Sequence, residues 1–141
     1  GRPFSIVLAD VDRFKRFNDE FGHACGDHLL KRVAGILCQR LRDVDRIARW
    51  GGEEFILLLP ETDVDGSATL ADSLREAIDS NLFEFAGERH RITMTFGVAG
   101  YRKGESLDSC VARADNALYE GKEAGLNRVM IDSYKGLTLV G

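Results

Sequence analysis

Val44-Asp-Arg-Ile-Ala-Arg-Trp50-Gly51-Gly52-Glu53-Glu54-Phe55-Ile-Leu-Leu-Leu59 is the stretch on which the fold turns. Two apolar-rich segments, 44–50 and 55–59, flank a Gly-Gly pair. Both central residues of a type I′ turn need positive φ, which glycine adopts without steric cost, so the pattern predicts a β-hairpin. Pro60 cannot donate a ladder hydrogen bond and closes the second strand. The turn runs straight into two carboxylates, Glu53 and Glu54, so the hairpin carries acid at one end. Trp50 and Phe55 are expected to pack in the core.

Upstream, Phe4-Ser-Ile-Val-Leu-Ala9 is a short apolar run that ends on Asp10-Val11-Asp12. That is the pattern of a buried central strand delivering carboxylates at its end. Leu29, Leu30, Val33, Ile36, Leu37 and Leu41 recur at helical spacing and predict an amphipathic helix over 26–41. Beyond the hairpin, Ala68, Ala71, Leu74 and Ile78 mark a second helix within 64–82, and 91–100 reads as a strand. Ser106 suits the N-cap of a third helix whose apolar face includes Leu107, Val111, Ala114 and Leu118. Val129-Met-Ile131 is a short last strand. Residues 1–132 read as one domain and 133–141 as a tail.

The order β-α-β-β-α-β with an appended α-β predicts an α+β fold with a palm-like, ferredoxin-like core. Its sheet should be mostly antiparallel, with helices on one face. In such a sheet the hairpin can lie beside the first strand and gather the acids into one patch.

Bulk properties narrow the function. The 141 residues are 44% hydrophobic and 30% charged, which fits one soluble globular domain. A net charge of −4, from 19 basic and 23 acidic residues, shows no footprint for a nucleic-acid polymer. Cys25, Cys38 and Cys110 form no C-x-x-C pair, so a zinc site or disulfide framework is not expected. Free thiols suit a reducing cytoplasm. No apolar run approaches the roughly 20 residues of a membrane span, so no membrane contact by this domain itself is expected, an anchor in other segments of the parent protein being left open.

Clustered carboxylates repel one another at neutral pH unless a cation lies between them. Their hard oxygens suit Mg²⁺ or Mn²⁺, which also bind phosphate oxygens, and a pair of such ions can clamp a phosphoryl transfer. Asp10 and Glu53 are the candidate pair; Asp12 and Glu54, each taken alone, read as part of a solvated acidic face.

Three motifs in order carry a family resemblance: Gly51-Gly52-Glu53-Glu54-Phe55; Asp10-Val-Asp-Arg-Phe-Lys-Arg-Phe-Asn18 through His23 to Gly26-Asp27; and Ala114-Asp-Asn-Ala-Leu-Tyr-Glu-Gly-Lys122 through Asn127. Together they resemble the GGDEF family of diguanylate cyclases over residues 5–131. The resemblance implies that two GTP condense to cyclic di-GMP, with pyrophosphate leaving, in a homodimer that uses two Mg²⁺ or Mn²⁺ ions per site. It implies Asp10, Glu53 and the Val11 carbonyl as metal ligands, with Glu54 as a secondary candidate. It implies Glu53 as the base and Lys15 as a transition-state cation. Backbone N–H groups at Arg13, Phe14 and Lys15 would hold the phosphates, helped by Gly51, Gly52 and Lys122. Asn18 and Asp27 would read guanine, with His23 lining the pocket; without the family pattern these three read as a helix cap, a helix-start acid and a loop residue.

Arg42-Asp-Val-Asp45 stands where the family often carries an Arg-x-x-Asp site that binds product and inhibits. Two departures stand out. Leu126 occupies a position where the family usually has Arg or Lys, and the helix that precedes the first strand in the family is absent, which implies an N-terminally shortened domain. The rival expectations are a GTP or cyclic di-GMP sensor without catalysis, or a dimerisation scaffold; the latter gives no reason for Asp10, Lys15, Asn18 and Glu53 together.

Overall fold

A computed structural model describes residues 2–133 and 136–140. Along the chain run β1 (Phe4–Val11), α1 (Phe14–Phe21), α2 (His23–Gln39), β2 (Arg46–Trp50), β3 (Glu54–Pro60), α3 (Val64–Asp79), β4 (Phe83–Phe85), β5 (Glu88–His90), β6 (Met94–Gly100), α4 (Leu107–Glu123), β7 (Val129–Ser133) and β8 (Gly136–Val140). Six strands form one sheet in the order β2-β3-β1-β6-β7-β8, and β4-β5 pair separately. The fold is α+β, and within the large sheet only β6 and β7 run parallel.

β1 lies at the centre, between β3 and β6. Its odd-numbered residues Val7, Ala9 and Val11 enter a large core with Leu29, Leu30, Val33 and Leu37 of α2 and Ala71, Leu74 and Ile78 of α3. Its even-numbered residues Ile6 and Leu8 enter a second core with Cys110, Ala114 and Leu118 of α4. Burial on both faces explains why this strand reads as an unbroken apolar run.

Helices therefore cover both faces, not the one face expected. A parallel pair needs a crossover connection, and α4 supplies it between β6 and β7 while closing the second face. The approach is close: a methyl built on Gly97 of β6 would stand 2.9 Å from the Leu118 Cα and nearer still to backbone atoms of Ala114 and Leu118.

Other local expectations shift. The helix expected over 26–41 begins at His23 and ends at Gln39, preceded by a separate α1; Gly22, at φ 91°, makes the corner between them. Ser106 caps α4 by accepting from the Ser109 N–H. Part of the expected tail is a strand, since β8 pairs antiparallel with β7; Tyr134, Lys135 and Gly141 of that segment lie outside the described residues. Phe55 is core, as expected, but Trp50 is 49% exposed because it sits on the edge strand β2.

Candidate active site

The hairpin lies beside β1, with Asp10 paired to Glu54 in register and Glu54 paired in turn to Trp50. Gly51 and Gly52 have φ of 56° and 75°, the left-handed backbone the sequence demands. Between Trp50 and Glu54 the connection has three residues, so Glu53 sits in the loop itself. Arg49 Nε donates to the Gly52 carbonyl at 2.8 Å and braces that loop. The Val11 N–H reaches the Glu53 carbonyl at 3.4 Å, which ties the loop to the end of β1.

Asp10 is buried and hydrogen-bonded through Oδ2 to the Lys122 ammonium from α4. Among the described residues its Oδ1 is buried with no hydrogen-bond partner. Burial raises the Asp10 pKa; Lys122 opposes the rise through its hydrogen bond and charge, and the charges of Glu53 and Asp12 add to it. Glu54, half-buried, is raised by burial first and then by Asp10. Burial alone would lower the Lys122 pKa, but the hydrogen bond to Asp10 and the charges of Asp10, Glu54 and Glu53 outweigh it and raise it.

These acids crowd each other with one ammonium between them, an arrangement a further cation would relieve. No group of three or more His, Cys, Asp or Glu side chains is arranged as a ready cage among the described residues. An orphaned carboxylate oxygen beside a second carboxylate fits Mg²⁺, which takes one or two carboxylates and completes its shell with water and substrate phosphates.

Two residues beyond β1, the chain turns through Arg13 at φ 56° into α1. The helix has no side-chain cap, and its first intrahelical bond is Phe17 N–H to the Arg13 carbonyl at 3.0 Å. The N–H groups of Phe14, Lys15 and Arg16 are thus the open donors of a helix N-terminus, a ready anion site. Arg13 and Lys15 are exposed at its rim and Phe14 is buried beneath.

Asn18 lies inside α1, so it is not a helix cap. Its Oδ1 is buried and unpartnered among the described residues. A methyl on Gly26 of α2 would come within 2.9 Å of the Asn18 Cγ, so this glycine lets the two helices close on the amide. His23 and Asp27 are exposed near the start of α2, four residues apart and therefore on one side.

The turn after α4 carries Gly125, Leu126 and Asn127 at φ of 126°, 67° and 48°. Arg128 folds back to donate from Nε to the Leu126 carbonyl at 2.9 Å, so its guanidinium serves its own turn.

Arg42 and Asp45 stand apart from all this, near the Pro60 end of β3, on the order of 20 Å along the strand from the glycine turn. They grip each other: Asp45, its side chain 1% exposed, accepts from the Arg42 N–H at 2.9 Å, Nε at 3.3 Å and Nη2 at 2.8 Å. Arg42 also donates to the Pro60 carbonyl and to Thr62, and it is half exposed. A ligand here meets the guanidinium; the carboxylate is already engaged.

Sequence reasoning missed Asp12. It is buried, not solvated, and accepts from Thr93 Oγ1 and Thr95 Oγ1 at 2.6 Å and from the Asn127 N–H at 2.9 Å. The two threonines, at alternate positions just before and inside β6, were the available signal. Among the described residues no helix is long and apolar enough to cross a membrane.

The family model described as "Diguanylate cyclase, GGDEF domain" matches residues 1–128. Diguanylate cyclase DgcP of Pseudomonas aeruginosa is 44% identical over 131 residues, covering 93% of this chain and 20% of that protein. The crystal structure of the GGDEF domain of DgcB from Caulobacter crescentus in complex with c-di-GMP aligns with a TM-score of 0.88 at 34% identity, over 92% of this chain and 77% of that one. The active GGEEF domain of a diguanylate cyclase from Vibrio cholerae aligns at 0.85 and 34%, over 92% and 83%. The chain spans from 20% to 34% of the length of the first curated relatives it matches.

Proposed function

The chain belongs to the GGDEF domain family, and from that premise we propose that it is a diguanylate cyclase making cyclic di-GMP from two GTP. The observation that carries the reading is the convergence of Asp10, the Glu53 loop, Lys122 and the open N-terminus of α1 at one end of β1. Acids for a metal and donors for phosphates meet there, and that is the equipment of phosphoryl transfer.

Each domain would hold one GTP. Asn18 and Asp27 accept from the guanine N1–H and amino group, with His23 lining the pocket. The N–H groups at Arg13, Phe14 and Lys15 take the phosphates, Gly51 and Gly52 let them approach the hairpin, and Lys122 and Lys15 counter their charge. Asp10, Glu53 and the Val11 carbonyl would hold Mg²⁺ or Mn²⁺, two ions in all, with Glu54 as a secondary ligand. Bound there, the metal would polarise the phosphates and lower the pKa of the attacking hydroxyl. Glu53 takes the proton of one ribose 3′-hydroxyl as its oxygen bonds to the α-phosphorus of the other GTP, and the bond to pyrophosphate breaks. The same step in reverse sense closes the ring, so two domains must face each other as a homodimer. The active compartment is the cytoplasm, where GTP is made.

Product inhibition belongs to the same reading. Arg42, preorganised by Asp45, offers a guanidinium to a guanine or phosphate of cyclic di-GMP. Leu126 and the engaged Arg128 leave one fewer cation on the phosphates, which favours weak GTP binding and supports, second, a sensor domain. Incubation with GTP and Mg²⁺ followed by mass spectrometry separates the two. Cyclic di-GMP from the wild type, and a loss of roughly a thousandfold in Glu53→Gln at unchanged Tm, are expected. No product from the wild type in a dimeric state sinks the cyclase reading.

A further inference from the structure

Asp12 is the most heavily engaged side chain near the candidate site, and the chemistry above does not use it. Three donors fall on its carboxylate, from Thr93, Thr95 and Asn127. A carboxylate has about four acceptor positions, so little capacity remains for a metal. What the three donors share is that none lies on β1: two come from the β6 side and one from the turn after α4.

That turn holds two non-glycine residues, Leu126 and Asn127, in the left-handed region. Such residues persist only where their surroundings over-determine them. Here the Asn127 N–H is shared between Asp12 and Thr95 Oγ1, at 2.9 and 3.1 Å. The Asn127 side chain is held from α3, accepting from Arg75 at 3.1 Å. The Leu126 N–H returns to the Gly121 carbonyl at 3.2 Å, directly before Lys122. A path of hydrogen bonds therefore runs from Asp12 through the turn to the last turn of α4. On its other side Asp12 is bonded in sequence to Arg13, where the chain enters α1.

Resting on the reading above, we infer that Asp12 is a positioning residue that fixes the separation between the open N-terminus of α1 and the Lys122 ammonium, so that both meet one triphosphate. The phosphate loop has its own anchors, Asp12 N–H to the Thr93 carbonyl at 2.9 Å and Val11 N–H to the Glu53 carbonyl at 3.4 Å, and these are backbone bonds that survive a side-chain change. What the Asp12 carboxylate adds, beyond the Lys122–Asp10 bond and the packing of α4, is the tie that sets the last turn of α4 and Lys122 relative to that loop. A purely structural carboxylate would affect stability alike whether or not Lys122 were present; a positioning one loses its effect on ligand when Lys122 is gone.

The test is a double-mutant cycle on binding of 3′-deoxy-GTP with Mg²⁺, an analogue with no attacking hydroxyl, read by calorimetry alongside thermal melts. Asp12→Asn keeps the volume but turns one acceptor into a donor. Thr95→Val, which removes a partner of the same carboxylate, takes its place in the cycle if that variant does not fold. Asp12→Asn is expected to weaken binding about tenfold in the wild type and less than about twofold in Lys122→Ala, the non-additivity of residues acting as a unit. Equal factors in both backgrounds, or a lowered Tm with unchanged affinity, overturn the positioning role while leaving the nucleotide site intact. A wild type that binds no 3′-deoxy-GTP overturns both.

Discussion

Gly97→Ala is the sharpest test of how α4 is seated. Gly97 lies on the face of β6 that α4 covers, between Thr95 and Ala99, and a Cβ there meets Ala114 and Leu118 backbone, with the Leu118 Cα at 2.9 Å. Backbone cannot rotate aside as a side chain does. Carbon atoms rest at about 3.5–4.0 Å, so α4 must retreat by about 1 Å along this contact. That retreat also opens the packing of Cys110, Ala114 and Leu118 on Ile6 and Leu8. Overpacking of this kind costs about 2–3 kcal/mol, the upper part of the usual range, because a whole helix moves. For a chain of this length that lowers Tm by roughly 6–12 °C. Lys122 rides on the same helix, so its reach to Asp10 lengthens and GTP affinity should fall with stability. The internal control is Gly35→Ala, on the exposed side of α2 with nothing within 4 Å of its new methyl, where the same change should raise stability by about 0.5–1 kcal/mol. Calorimetric melts of both variants decide it. A Gly97→Ala Tm at or above the wild-type value refutes the seating of α4 and with it the placement of Lys122.

Gly26→Ala displaces the Asn18 amide, since its methyl would lie 2.9 Å from the Asn18 Cγ and 3.1 Å from the Phe14 ring; GTP affinity should drop roughly tenfold, the cost of one lost buried hydrogen bond, and calorimetry showing unchanged affinity removes Asn18 from the pocket. Arg42→Ala should abolish inhibition by cyclic di-GMP and lower Tm, because among the described residues the Asp45 carboxylate accepts only from Arg42; initial rates with and without added product decide, and undiminished inhibition rules out this site. The hydrogen bond from Arg113 pushes the Glu105 carboxyl down from 4.5 to about 2. A depressed carboxylate contributes stability that is present above its unfolded pKa and lost as pH falls through the folded one. The Tm gap between wild type and Glu105→Gln should accordingly be full at pH 6 and close between pH 4.5 and 2; a gap independent of pH contradicts the ion pair.

The parts of the fold that were legible are those in which neighbours in sequence are neighbours in space. The glycine turn announces its own φ angles, Ser106 caps α4 by a bond to a residue three positions on, and β1 declares burial on two faces by its unbroken apolar run. The family was legible through motif order, and the candidate site residues follow from that order rather than from periodicity, since neither the 3.6 nor the 2 repeat distinguishes Asn18 from an ordinary helix residue. What escaped depends on long separations. Asp12 meets Thr93, Thr95 and Asn127 across 81 to 115 residues, and nothing local in Asp10-Val-Asp12 marks one carboxylate as orphaned and the other as saturated. The difference lies in what distant parts of the chain bring: α4 to Asp10, and the start of β6 with the turn after α4 to Asp12. Among the described residues Asp10 faces the ammonium of Lys122 and keeps one oxygen unpartnered, whereas Asp12 faces two hydroxyls and a strained turn that take most of its acceptor capacity. Two identical side chains, two residues apart, thereby differ: Asp12 is spent on holding the protein, whereas Asp10 keeps an oxygen free for the ligand role proposed above. Trp50 escaped for the opposite reason: its bulk argued for the core, but edge position is a property of strand order, which no residue on β2 encodes alone.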